Sequence, residues 1–331
     1  MTTEARDIAF SLSPFHLLQA ICMLEPGRPM TILSSRAITH GKVLDGIGGT
    51  TITPVEHRTR VYDELRASGR PYRFFHAVPW NRAALQFEML ALRNGGAIGL
   101  FDDGIANFRV EPLKRNAEYY FRRLAYRLLD GTDYCGDLSD VKHSRIARTL
   151  YSVDAARSSL APRARQIDFS RLEPILDRAS SHFAHLERHR GLPVFLDTDD
   201  CEGGWYDFER KVEVLQDVLP HEPTLYLPHP RQHFDLPRRL PFLIDLTGQT
   251  NDWNELAVHY LRPPRVTSVF STAVITLTKV LGMKFENVLL CDHFLERIGH
   301  ASFVLDPHSR QMLTSGAADA PRVEESHDRA S

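Results

Sequence analysis

The chain is poor in cysteine. Its 331 residues carry four, Cys22, Cys135, Cys201 and Cys291, and no two form a CxxC pair. That excludes a zinc ribbon and a disulfide framework and fits a reducing cytoplasm. Long apolar runs are also missing. The longest uncharged apolar segment lies between Arg265 and Lys279, well short of the roughly 20 residues a bilayer span needs. The N-terminus does not read as a signal peptide: Glu4 and Asp7 stand where a basic region is required, and the apolar run is brief. No basic block interleaved with aromatics looks like a stacking platform for bases, and the formal net charge is -2. A nucleic-acid partner is therefore not expected.

What is present is ordinary for a globular protein: 43% hydrophobic and 25% charged residues. The length suits two domains. Short apolar runs alternate with helical patterns, which predicts an α/β fold with parallel sheets. "IAFSL" reads as a strand and "SPFHLLQAICML" as a helix, with Ser13 as N-cap and Pro14 in the first turn. "MTILSS" and "YRFFHAV" read as the next strands. "NRAALQFEMLALRN" reads as a helix that stops at Gly95 and Gly96, and "AIGLF" as a further strand.

From Pro112 to Leu129, aromatic residues and leucines recur at helical spacing with Lys and Arg between them. Two roles stay open for this helix: packing on its domain, or resting a basic, aromatic face on an anionic membrane. Residues 158–190 read as linker plus helix. A second α/β cycle starts at "LPVFLDT", with "TAVITLTKVLG" read as a helix and "ENVLLCD" as the strand after it, and the tail from Thr314 is too polar to fold. The expected organisation is 1–160 as an N-terminal α/β domain, 161–190 as linker and helix, 191–313 as a C-terminal α/β domain, and 314–331 as a disordered tail.

Ligands of parallel α/β sheets bind at the carboxyl ends of strands, so the reactive residues there are the candidates. "FDDG" places Asp102, Asp103 and Gly104 after the "AIGLF" strand. This pair reads as turn punctuation, as a metal pair, or as a base with its support. "LPHPRQ" holds His229 between Pro228 and Pro230, with Arg231 two residues on. The prolines restrict the backbone, and an imidazole beside a guanidinium suits a phosphate or carboxylate. Ser271 and Thr272 sit where a strand meets a helix, so their hydroxyls and the helix N–H groups suit an anion. In "FLDTDDCEGGW", Asp197-Thr198-Asp199 allows a metal site or an aspartyl phosphatase, although Cys201 occupies the position where such phosphatases carry Thr or Val. Gly203 and Gly204 suit a close backbone approach to a ligand.

Taken together, "FDDG", "PHPR" and "FST" at Phe270–Thr272 resemble the bacterial sialyltransferases. "LSPFHLLQA" is similar to the strand–Ser/Thr-Pro–helix start of the lipooligosaccharide and polysialic acid transferases, with His16 where that family often has Gln. The resemblance implies a GT-B fold, two Rossmann-like domains facing a central cleft, with CMP-sialic acid as donor. It implies Asp103 as general base, Asp102 as its neighbour and Gly104 as room for the acceptor. It further implies Glu255 on the ribose hydroxyls, His229 as acid or phosphate partner with Pro230 and Arg231 beside it, and Ser13 and His16 on the acceptor side.

The expected activity is an inverting glycosyltransferase that moves sialic acid to a glycan hydroxyl of a bacterial surface glycan, lipopolysaccharide or capsule. No cofactor or metal is expected, because one phosphate charge can be met by protein groups alone. A CMP-Kdo transferase and a GT-B-like binding protein without turnover are the alternatives. The expected location is cytoplasmic, with peripheral contact at the inner membrane face and the oligomeric state open.

Overall fold

The computed structural model describes residues 6–35, 49–77, 82–102, 117–130, 141, 144, 146–156, 158, 164–250, 253–300 and 303–314. Asp103, Gly104 and the tail beyond 314 lie outside the described residues. Two parallel sheets carry the fold. The first has seven strands in the order β3-β2-β1-β4-β5-β6-β7. These are β1 (Asp7–Ser11), β2 (Met30–Ser34), β3 (Thr50–Pro54), β4 (Arg73–His76), β5 (Ala97–Phe101), β6 (Thr149–Ser152) and β7 (Ala164–Gln166). The second has five, in the order β10-β9-β8-β11-β12. These are β8 (Val194–Leu196), β9 (Thr224–Leu227), β10 (Leu243–Asp245), β11 (Arg265–Ser268) and β12 (Glu286–Leu289).

Every adjacent pair is parallel. Strand order reverses between β1 and β4 in the first sheet and between β8 and β11 in the second. Such switch points open a crevice at the carboxyl ends of the strands. The central strands are buried along their length, which is why they read as continuous apolar runs.

The helix Pro14–Cys22 starts as its sequence predicts. Ser13 is extended and its Oγ accepts from the His16 N–H at 3.2 Å. The helix Arg82–Arg93 ends where its glycines predict: Gly95 is left-handed (φ +73), and a Cβ on Gly96 would fall 1.9 Å from the Tyr72 carbonyl oxygen. Leu17, Leu18 and Ile21 of the first half share one buried cluster with Ile175, Phe183, Trp253, Leu256 and Val274. The two sheets thus lean on common core.

Three readings change. β7 pairs with β6 of the first sheet although it falls in the segment read as linker. "TAVITLTKVLG" is not one α-helix: after the turn Ala273–Ile275 the chain takes a π-helical turn over Thr276–Val280, closed by the Leu281 N–H on the Thr276 carbonyl at 2.9 Å. The strand expected to run through Asp292 stops at Leu289, and a helix, Cys291–Ile298, begins there.

A buried ionic group ties β4 to β6. Glu88 accepts from Arg148 Nε (2.8 Å) and Nη2 (2.6 Å) and lies 2.8 Å from His76 Nε2. Burial opposes its charge, yet the hydrogen bonds from Arg148 and then His76 hold the carboxyl down at about 2. Its contribution to stability is complete above the unfolded carboxyl pKa and fades as pH falls towards 2. Glu88→Gln leaves a buried guanidinium unmatched and should cost about 3–5 kcal/mol at neutral pH. Urea titration at pH 7 and pH 3 checks this, with the gap between variant and wild type narrowing at pH 3.

Candidate active site

A cavity of about 680 Å³ opens at the switch points of both sheets. The loop after β1 brings Leu12, Ser13, Pro14, Phe15 and His16. The loops after β8 and β9 bring Asp197, His229, Pro230 and Arg231. Asn254 and Glu255 enter from the first turn of the helix Asn254–Leu261, and Ser271, Thr272 and Ala273 follow β11. The volume suits a nucleotide-sized ligand. Eight sequence candidates therefore meet at one place: Ser13, His16, His229, Pro230, Arg231, Glu255, Ser271 and Thr272.

Each wall has a local cause. β9 ends at Leu227, and Pro228 and Pro230 turn the chain sharply. The turn is closed by the Gln232 N–H on the His229 carbonyl at 2.8 Å. The Arg231 N–H points at His229 Nδ1 at 3.3 Å. A neutral His229 that accepts there carries its proton on Nε2. Asp199 also faces this group: its carboxylate pairs with Arg231 and lies 4.0 Å from His229 Nδ1. The loop after β8 supplies its own counter-charge to the basic pair.

At the β11 end, Ser271 Oγ accepts from the Ala273 N–H at 3.3 Å, and the Ser271 N–H reaches Ser268 Oγ at 3.3 Å. The exposed Thr272 is the residue before the short helical turn. Across from them, Glu255 is half-buried in the cavity wall. Burial pushes its carboxyl up to about 6, so it changes charge just below neutral pH.

The pair Asp102-Asp103 is described only as far as Asp102. That residue is wholly buried. Its Oδ2 accepts from Ser152 Oγ at 2.9 Å and from the Val153 N–H at 2.6 Å. Gln19 was not singled out by the sequence. Its side-chain amide accepts from the Asp102 N–H and donates to the Asp102 carbonyl, both at 3.0 Å. The end of β5 is thus clasped on main chain and side chain. Asn254, also missed, donates to the Pro228 carbonyl at 2.9 Å and couples the Glu255 helix to the His229 loop. Gln and Asn carry no period or charge that marks such a bridge.

One reading of "FLDTDDCEGGW" is corrected. Gly203 and Gly204 are not among the residues lining the cavity. Their N–H groups turn back on the carbonyls of Asp199 and Cys201, at 2.8 and 2.9 Å, so they close the loop on itself. Asp197, although it lines the cavity, is engaged by other groups. Lys211, wholly buried, lies 2.6 Å from both Asp197 and Asp200, and Tyr226 OH donates to Asp197 at 2.8 Å. Burial favours a neutral amine, yet the two carboxylates hold Lys211 charged, above the ordinary lysine value. These groups brace the loop that presents Asp199.

The comparisons follow this geometry. No family model and no curated protein matches the chain significantly. Among solved structures, it is similar to an alpha/beta-galactoside alpha-2,3-sialyltransferase from the luminous marine bacterium Photobacterium phosphoreum. The match covers 92% of this chain and 97% of that one, with a TM-score of 0.57 and 11% identity. The chain has a sialyltransferase-like fold. At that identity the likeness carries the architecture and not the residues.

Gln19→Ala would leave the Asp102 N–H and carbonyl buried without their amide partner. The expected cost is about 1–3 kcal/mol, read as a lower urea midpoint with an unchanged slope.

Proposed function

We infer that the chain is an inverting glycosyltransferase of GT-B arrangement that moves sialic acid from CMP-sialic acid to a glycan hydroxyl. The observation that carries this reading is the convergence of His229, Glu255, Ser271 and Thr272 on one cavity, with Ser13 and His16 opposite. A nucleoside monophosphate asks for such a set: a carboxylate for the ribose diol, and hydroxyl and imidazole donors for one phosphate. The sialyltransferase-like fold supports a nucleotide-sugar donor and a glycan acceptor at the same coarse level.

The chemistry is a single displacement. Asp103 takes the proton of the acceptor hydroxyl, which is too weakly nucleophilic to react at neutral pH without a base. The oxygen attacks the anomeric carbon on the face opposite the phosphate, and the bond from that carbon to the phosphate oxygen breaks. The electron pair leaves with CMP. Nε2–H of His229 and the hydroxyls of Ser271 and Thr272 meet the growing charge, which is where preorganised donors lower a barrier most. Arg231 exchanges Asp199 for the phosphate. One phosphate charge needs no divalent ion beside these groups, so we propose metal-independent turnover. Asp102, held by Gln19, Ser152 and Val153, positions the base without touching substrate.

Asp103→Asn should lower transfer by about 10²–10⁴-fold and leave CMP binding within twofold of wild type, measured by steady-state assay and calorimetry. CMP-sialic acid and CMP-Kdo are supplied side by side, each with a mixed glycan acceptor. Turnover of CMP-Kdo alone would replace sialic acid as the donor sugar, and tight CMP binding without turnover of either would make the chain a binding protein.

Glu255 gives a pH signature. Its carboxylate accepts ribose hydroxyls only when ionised, above about 6. Cytidine, which has the ribose and no phosphate, should bind more tightly as pH rises from 5 to 7. Glu255→Gln should flatten that dependence, read by calorimetry across the range.

A further inference from the structure

The helix Ala117–Asp130 presents its apolar side outward. Tyr120 is 56% exposed, Phe121 73%, Leu124 53% and Leu128 74%. At about 100° per residue these four share one stripe of the helix. The half-buried residues Tyr119, Arg123 and Tyr126 lie on the far side, towards the protein. An ordinary surface helix does the reverse and buries its apolar stripe. The sequence left open a packed helix and a surface-seeking one, and among the described residues this stripe stays exposed.

Charge selects what covers it. The helix holds Arg122, Arg123 and Arg127 against Glu118 and Asp130, and Lys114 and Arg115 precede it in the sequence, in a chain whose formal net charge is -2. Glu118 is itself paired with Arg122 at 2.5 Å. A second copy of this helix would bring arginines against arginines. The stripe also offers only on the order of 500 Å², short of the ~800 Å² per partner of a standard protein interface. Lipid meets both conditions. Acyl chains accept the Tyr, Phe and Leu side chains, and arginines flanking the stripe reach acidic headgroups over their own apolar stems. The geometry points to this helix as a peripheral docking surface for an anionic membrane, lying in the plane of the headgroups. No helix among the described residues is long and apolar enough to cross a bilayer.

The test is flotation of the full-length protein with vesicles of phosphatidylcholine, with and without phosphatidylglycerol. Wild type should float with the phosphatidylglycerol vesicles and stay behind with phosphatidylcholine alone. Phe121→Ser with Leu128→Ser should lower the bound fraction at least about tenfold. Arg122→Gln with Arg127→Gln should erase the preference for acidic lipid, each arginine being worth roughly fivefold. All four side chains lie on the helix surface, so melting temperature and turnover of a soluble acceptor should stay at wild-type values, whichever donor the enzyme uses. No flotation of wild type, or flotation unchanged in Phe121→Ser/Leu128→Ser, overturns the proposal. A concentration-dependent dimer in light scattering that the same serines abolish would overturn it in favour of a second copy.

Discussion

A carboxylate taken out of water has to find donors nearby, and at the end of β5 that need organises the surroundings. Asp102 is wholly buried and accepts from Ser152 and Val153, while Gln19 closes on its peptide group. Strands β5 and β6 and the helix Pro14–Cys22 are thereby fixed to one another by hydrogen bonds as well as by apolar contact. The same helix carries Ser13 and His16 at its start. The main chain of one buried acid thus ties the end of β5 to the helix whose start lines the cavity. Hydrogen bonds to a charged group of this kind contribute more than neutral ones and cost more when broken.

The second sheet solves a parallel problem with opposite charge. Lys211 is buried between Asp197 and Asp200, and its Nζ also donates to the Thr198 carbonyl at 3.0 Å. Buried ionic groups are a poor source of net stability but a good source of a single geometry. Here they hold the loop after β8 in one shape, with Asp199 turned towards Arg231 and His229.

Much of this was legible in the sequence. The central strands announce themselves as apolar runs because both of their faces are covered. The edge strands do not: "TTITP" and "ARQ" are half-exposed, and nothing in their pattern separates them from loop. The cavity residues were legible because a proline-flanked histidine and a serine-threonine pair at a strand end are chemically marked. Gly203 and Gly204 misled because freedom to approach a ligand and freedom to turn a loop look alike in a sequence. Gln19 and Asn254 were silent because a neutral amide earns its role only from the backbone it meets across the fold.

In each sheet the strand that comes first in the chain ends up inside, with a neighbour on both edges. β1 pairs with β2 on one side and waits for Arg73–His76 before its other edge is covered. β8 likewise pairs with β9 and waits for Arg265–Ser268. A chain emerging from the ribosome therefore carries an open, apolar strand edge through most of a hundred residues of synthesis, twice over. Parallel pairings of this range close slowly, because loop entropy must be met before any contact rewards it. The arrangement that places every reactive loop at one rim also makes the newly made protein vulnerable to association, and its yield in a cell will track how quickly those two central edges are covered.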